Sequence, residues 1–206
     1  MSDVLVEIRN LSKKFKNKHI LNGLNLIINE GEHILIEGKN ACGKSTLLKI
    51  IANIYEKTSG EIICYKKFKI GAFIENPSFI ENETALYNMK FLIELTDKFN
   101  IEKIRPYFEL LELDIDNKDT VNKYSVGMRQ KLGIIQAVME DQDLILFDEP
   151  TRGLDKDSVE KFYSLIKMLK AQNRTCIIVA HDGVSGIDFD KSYVIEDGKC
   201  KEKMAV

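Results

Sequence analysis

The chain has 206 residues, 44% of them hydrophobic and 30% charged, with 30 basic against 32 acidic residues and a formal charge of −2. That suits one large soluble domain, or a core with one inserted subdomain, and leaves no global basic field for bulk nucleic-acid binding. No run of 18 apolar residues could span a membrane, Met1-Ser2-Asp3-Val4 carries no secretion signal, and Cys42, Cys64, Cys176 and Cys200 form no Cys-x-x-Cys pair. Metal binding through those thiols and a disulfide framework are therefore not expected, and a reducing cytoplasm is.

In chain order, Val4, Val6 and Ile8 alternate with Leu5, Glu7 and Arg9, and Leu24, Leu26 and Ile28 alternate with polar residues. Both read as strands with one wet face, paired antiparallel. His33–Glu37 is short and mostly apolar, as a buried parallel strand should be. Gly38-Lys39-Asn40-Ala41-Cys42-Gly43-Lys44-Ser45-Thr46 follows, and then Leu47, Leu48, Ile50 and Ile51 at helical spacing. Residues 61–65 and 69–74 read as two more short strands on either side of Lys66 and Lys67. From Thr84 the apolar positions Ala85, Met89, Leu92, Leu95 and Phe99 predict one helix, and Ile101, Ile104, Phe108 and Leu111 predict another. Pro106 also fits the first turn of that second helix. Residues 114–123 are polar and read as a loop. A helix opens at Tyr124-Ser125-Val126-Gly127-Met128-Arg129-Gln130, with Ser125 as N-cap and Leu132, Ile135 and Met139 on one stripe. Residues 143–148 and 175–180 have the short apolar look of central parallel strands, and residues 191–195 and 199–203 flank Asp197-Gly198, a hairpin turn signal. About 80–137 thus forms a helical insertion in an α/β core.

The spacing of glycine, four residues and Gly43-Lys44-Ser45 between a strand and a helix is that of a phosphate-binding loop. Glycines let successive N–H groups converge on one concavity, and the helix start adds the positive end of its dipole. Lys44 would reach the β- and γ-phosphates and the Ser45 hydroxyl would hold Mg²⁺. Leu144-Ile145-Leu146-Phe147 ends in Asp148-Glu149, and adjacent strand residues face opposite ways. Asp148 can then face a Mg²⁺ shell while Glu149 orients a water beyond the γ-phosphate and accepts its proton. Ser125 with its helix start could form a second anion site or simply begin a helix. His181 ends a core strand, where α/β sheets place ligands, although a structural hydrogen-bonding role is the commoner one. Cys42, just before a helix start and near Lys44, reads as an inhibitory thiol.

With these pieces in order, the whole chain resembles the nucleotide-binding subunit of an ATP-binding-cassette (ABC) transporter. The resemblance implies a single domain over 1–206: a P-loop NTPase core with a mixed, largely parallel sheet and an N-terminal antiparallel β subdomain (1–79 and 138–206), and an inserted α-helical subdomain (about 80–137). It implies ATP and Mg²⁺ as ligands and an ATP hydrolase. Phe15 matches the aromatic that stacks on adenine, Gly38 to Thr46 the phosphate loop, Asp148 the metal-side aspartate, Glu149 the catalytic glutamate and His181 the switch histidine. Ser125 and Gly127 match the signature that binds ATP held by a second ABC chain, and Asp155 the loop that communicates across that homo- or heterodimer. Glu75 stands where relatives carry a metal-side glutamine. The implied partner is a membrane-spanning permease docking near residues 75–79, Phe79 included, which would place the chain on the inner face of the cell membrane.

Three departures mark this chain. Ala41 replaces a glycine and loses easy access to positive φ. The signature reads Tyr-Ser-Val-Gly-Met, and Glu75 adds negative charge near the γ-phosphate. The runs Ile70-Gly-Ala-Phe-Ile-Glu75-Asn-Pro77 and Tyr124 to Gly133 look like the bacitracin-resistance and lantibiotic-immunity branch, which implies export of a peptide antibiotic or similar hydrophobic compound. Two other readings remain at this point: a soluble ABC ATPase of the iron–sulfur assembly type, and a non-hydrolysing nucleotide sensor.

Overall fold

The computed structural model describes residues 3–75, 77–181 and 184–203. The chain opens with two long strands, β1 (Val4–Phe15) and β2 (Lys18–Asn29), paired antiparallel through a tight turn that sets Phe15 opposite Lys18. Bulges along β1 break the simple alternation, so Leu5, Val6, Ile8 and Leu11 are all buried. Next come β3 (His33–Glu37), helix α1 (Lys44–Ile51), β4 (Ser59–Cys64) and β5 (Ile70–Phe73). The two short strands expected around Lys66 and Lys67 do form, but in different sheets: β4 completes the three-stranded sheet β2-β1-β4, and β5 edges the other.

Between β5 and β6 (Leu144–Asp148) lie α2 (Ala85–Ile93), α3 (Ile101–Leu110), a 3₁₀ turn at Val121–Lys123 and α4 (Val126–Val138). Three caps set their starts: Thr84 Oγ1 accepts from Tyr87 N, Asn100 Oδ1 from Glu102 N and Ser125 Oγ from Met128 N. Helix α2 stops at Ile93, well short of Phe99, and Leu95 is 66% exposed. The Thr96 hydroxyl bonds to the Ile93 carbonyl and to Glu140, and Lys98 N closes a turn on Asp97, which ends the helical register. Pro106 is the sixth residue of α3 and not part of its first turn, because Asn100 starts the helix before it. The 114–123 loop is less polar inside than its composition suggests: Ile115 and Val121 are buried, and Val121 N and Asn122 N bond to the carbonyls of Glu83 and Glu81.

After β6 come α5 (Lys156–Ala171), β7 (Thr175–Val179), β8 (Lys191–Glu196) and β9 (Lys199–Glu202). The second sheet runs β5-β6-β7-β3-β8-β9, parallel except for the β8–β9 hairpin, whose Asp197 and Gly198 both have positive φ. Its central strands are apolar on both faces because both are covered. Ile145, Phe147, Cys176, Ile178 and Leu35 point into the core under α2 to α5, while Leu144, Leu146, Ile177, Val179, Ile34 and Ile36 point to α1 and the three-stranded sheet. Helix α4 lies so close on β5 that a Cβ added at Gly71 would sit 1.8 Å from the Ala137 carbonyl oxygen.

Parallel order brings the carboxyl ends of β3, β5, β6 and β7 to one edge of the sheet. The phosphate loop, Glu75, Asp148 and His181 leave from those four ends, the edge at which α/β sheets bind ligands.

Candidate functional site

On that edge is an open cleft of about 790 Å³, lined by Phe15, Asn40, Ala41, Gly43, Lys44, Ser45, Thr46, Glu75, Asp148 and Glu149 among the residues expected from sequence. Strands far apart in the chain converge here because β3 and β6 both flank β7.

The phosphate loop curls as its spacing demands, with Gly38 at φ 150° and Gly43 at φ 112°. Ala41 adopts φ 61°, so alanine bears the strain of the left-handed region here. Lys44 is buried, and its ammonium donates to the Gly38 and Lys39 carbonyls at 2.7 and 3.3 Å. Among the described residues no carboxylate pairs with it. A buried cation held only by two neutral carbonyls suits an anion.

Asp148 is half-buried at the end of β6. Burial pushes its carboxyl above the ordinary range, while the neighbouring Ser45 hydroxyl and the Lys44 ammonium pull it back. A buried carboxylate with a hydroxyl beside it is a fit for a hard cation. No cluster of three His, Cys, Asp or Glu side chains among the described residues could hold a metal unaided. A Mg²⁺ ion would need only one or two carboxylates together with phosphate oxygens. Glu75 also lines the cleft, where its charge opposes ionisation of Asp148, and it forms a salt bridge with Lys49.

Glu149 is not aimed by strand alternation. The strand ends at Asp148, and Glu149 takes φ 50° with its N–H on the Val179 carbonyl at 2.8 Å. That left-handed turn carries the carboxylate into the cleft, where Oε2 lies 3.4 Å from the backbone N of His181. The turn is pinned from α4: Gln130 Nε2 donates to the carbonyl of Pro150 at 3.1 Å. His181 itself is exposed and does not line the cleft, and Asp182 beside it lies outside the described residues.

Phe15 stands 41% exposed at the cleft mouth, edge-on to Tyr55 at 5.6 Å, with Lys13 Nζ 4.7 Å above its ring. Cys42 faces away. A Cβ on Gly38 would lie 2.7 Å from its Sγ, and both residues line a second cavity behind the loop with Ile195 and Gly198. Ser125, Gly127 and Asp155 also stand outside the cleft. The Ser125 hydroxyl caps α4, and Asp155 Oδ1 caps α5 by accepting from Ser158 N at 2.8 Å, a bond that holds its carboxyl below the usual range. Gly127 passes close to Gly153.

Several lining residues were assigned no site role from the sequence: Lys18, Ile20, Phe73, Val126, Gln130, Arg152 and Gly153. Val126 and Gln130 could have been found, since they sit one and five residues beyond the Ser125 cap. Lys49 and Tyr55 could not, because their partners are distant in the chain.

A sequence profile described as ABC transporter matches residues 21–152. The lantibiotic transport ATP-binding protein SrtF of Streptococcus pyogenes is 33% identical over 184 residues, covering 86% of this chain and 80% of its own length. The bacitracin transport ATP-binding protein BcrA of Enterococcus faecalis is 27% identical over 216 residues, covering 99% and 70%. A solved dimeric ATP-binding cassette in a post-hydrolysis state with ADP and Pi superposes with a TM-score of 0.87 at 25% identity, over 97% of this chain and 98% of that one.

Proposed function

We propose, from the premise that this chain belongs to the ABC transporter family of ATP-binding proteins, that it hydrolyses ATP as the motor subunit of an exporter. The observation that carries this reading is the convergence of Lys44, Ser45, Asp148 and Glu149 on one cleft with Phe15 at its mouth.

Each group has a task its surroundings suit. Phe15, braced by Tyr55, offers its free face to adenine. The loop N–H groups and the unpaired Lys44 ammonium receive the phosphates. Ser45 and Asp148 would hold Mg²⁺, which when bound neutralises charge on the phosphate oxygens. Glu149 orients a water and accepts its proton, and His181, which stands exposed outside the cleft, would close the site from the end of β7 only with nucleotide bound. Gly38, Asn40, Cys42 and Thr46 contribute backbone to the loop.

Two chains would close around two ATP molecules, each lying between one loop and the Ser125–Gly127 turn of the other chain, with Asp155 at the seam. The partner is the same chain or a second cassette chain. The permease would dock beside Phe79, where Ile80, Tyr87 and Phe91 leave an exposed apolar patch; Asn76 in the expected docking segment lies outside the described residues. Such docking would make the chain peripheral on the cytoplasmic face, and none of its described helices is long and apolar enough to cross a membrane. The names of SrtF and BcrA support a peptide antibiotic as the cargo.

Glu149→Gln tests the reading. Glutamine keeps shape and hydrogen bonding but cannot take the proton, so the variant should bind Mg-ATP and lose turnover by roughly 10²-fold or more. It should also accumulate as a closed dimer, which Ser125→Arg in the same background prevents. Phosphate release and light scattering with and without ATP are the readouts. Full activity in Glu149→Gln would sink the catalytic assignment.

A further inference from the structure

Helix α1 presents Ser45 and Lys49, one turn apart, on the face left over once Leu47, Leu48, Ile50 and Ile51 are buried. The two side chains reach two neighbouring strand ends. Ser45 sits beside Asp148 at the end of β6, and Lys49 Nζ bonds to Glu75 Oε1 just past β5. Strands β5 and β6 run side by side with Phe73 opposite Phe147, so these contacts are parallel rungs between one helix and one sheet edge.

The second rung is held from several directions. Lys49 is only 13% exposed whereas Glu75 is 65% exposed, so the lysine is the fixed member. The Lys49 carbonyl accepts from Ile54 N and Tyr55 N at 2.8 and 3.1 Å, which folds the Tyr55 ring to 5.0 Å from the ammonium. Tyr55 in turn braces Phe15. Glu75 takes φ 60°, a left-handed turn that directs it to Lys49. An ion pair this exposed adds little to fold stability. Its effect falls on the cleft, where Asp148 and Glu149 already supply two carboxylates and a third would repel a polyphosphate.

We propose that Lys49 is a positioning residue that holds Glu75 at the edge of the cleft and cancels its charge, so that a carboxylate can stand there without weakening ATP binding. This rests on the reading of the cleft as an ATP site. The pair then becomes a determinant of cation dependence: with Lys49 absent, Glu75 opposes free ATP and attracts a divalent cation.

Calorimetric titration of ATP, in EDTA and in excess Mg²⁺, tests this on wild type, Lys49→Met, Glu75→Gln, the double variant and Lys49→Arg. Lys49→Met should weaken Mg-free ATP binding by about tenfold, and clearly less in Mg²⁺. Adding Glu75→Gln to it should restore affinity to within about twofold, and Lys49→Arg should behave as wild type. Equal weakening with glutamate or glutamine at position 75, or no weakening in Lys49→Met, overturns the proposal while the ATP reading stands. Wild-type protein that binds ATP in neither condition overturns both.

Discussion

At the scale of single residues, the site depends on backbone that L-amino acids rarely adopt. Ala41, Glu75 and Glu149 all lie at positive φ, and each ends a strand or shapes the phosphate loop. At Ala41 the left-handed region costs about 1 kcal/mol relative to glycine. Ala41→Gly should therefore raise unfolding stability by roughly 0.5–1 kcal/mol, less any gain in unfolded-chain freedom, as read by urea denaturation. At Glu149 the same conformation turns a strand-end carboxylate into the cleft. Phe15 is the residue whose role least resembles its type. Phenylalanine usually fills cores, yet this ring is held at the rim by Tyr55 and Lys13. Stacking of a base on an aromatic is worth ~1–3 kcal/mol, so Phe15→Ala should weaken ATP binding by about tenfold or more without unfolding the chain. An unchanged dissociation constant would remove Phe15 from the site. Residues tied to a local spacing, such as Lys44 and Ser45, were legible in the sequence. The aim of Glu149, the turn of Cys42 to the back of the loop and the Lys49–Glu75 pair were not, because each depends on a neighbour 19 or more residues away or on a backbone angle that composition does not encode.

Among the elements, those of the parallel sheet were the most readable. Strands β3, β6 and β7 are buried on both faces, so they appear as unbroken apolar runs that no surface element imitates. Helix ends were less so. The apolar spacing from Ala85 to Phe99 runs on past the true end of α2, because Phe99 is partly buried by its own route, after a turn. The partition of 61–65 and 69–74 between two sheets was equally hidden, since pairing partners leave no mark within a short strand. The tightest joint between elements is α4 on β5. With 1.8 Å available to a Cβ at Gly71, Gly71→Val must lift α4 from the sheet. The expected loss is about 2–3 kcal/mol in urea unfolding. Because α4 carries Ser125 at one end and pins the Glu149 turn through Gln130, ATP turnover should fall more than stability alone explains. Normal turnover in folded Gly71→Val would separate the two effects.

For the molecule as a whole, the buried histidine at the start of β3 sets an acid limit. His33 is fully buried, its Nε2 bonded to the Arg174 carbonyl at 3.1 Å, and its Nδ1 has no partner among the described residues. Burial pushes its pKa below the ordinary 6.5, the nearby Lys170 pushes the same way, and the Arg174 carbonyl, Asp190 and Asp188 oppose this. The unfolded chain therefore takes up a proton that the folded chain refuses. Above about pH 7 the group contributes nothing to the pH dependence. Below 6.5 stability should fall by up to about 1.4 kcal/mol per pH unit until the folded pKa is reached. Urea unfolding from pH 7.5 to 5 should show that slope in the wild type and a flatter one in His33→Leu.

The order of strands also governs how the chain is made. Strand β3 delivers the phosphate loop, yet it is flanked by β7 and β8, and the bond from Gly31 N to Thr175 Oγ1 spans 144 positions. A ribosome working at about 5–20 residues per second finishes the loop roughly 6–27 s before it supplies the strand that braces it. Over that interval the nascent chain can form the β1–β2–β4 sheet but holds its nucleotide loop on an unpaired strand. Retention of a nascent chain on immobilised ATP would therefore begin abruptly as β7 emerges.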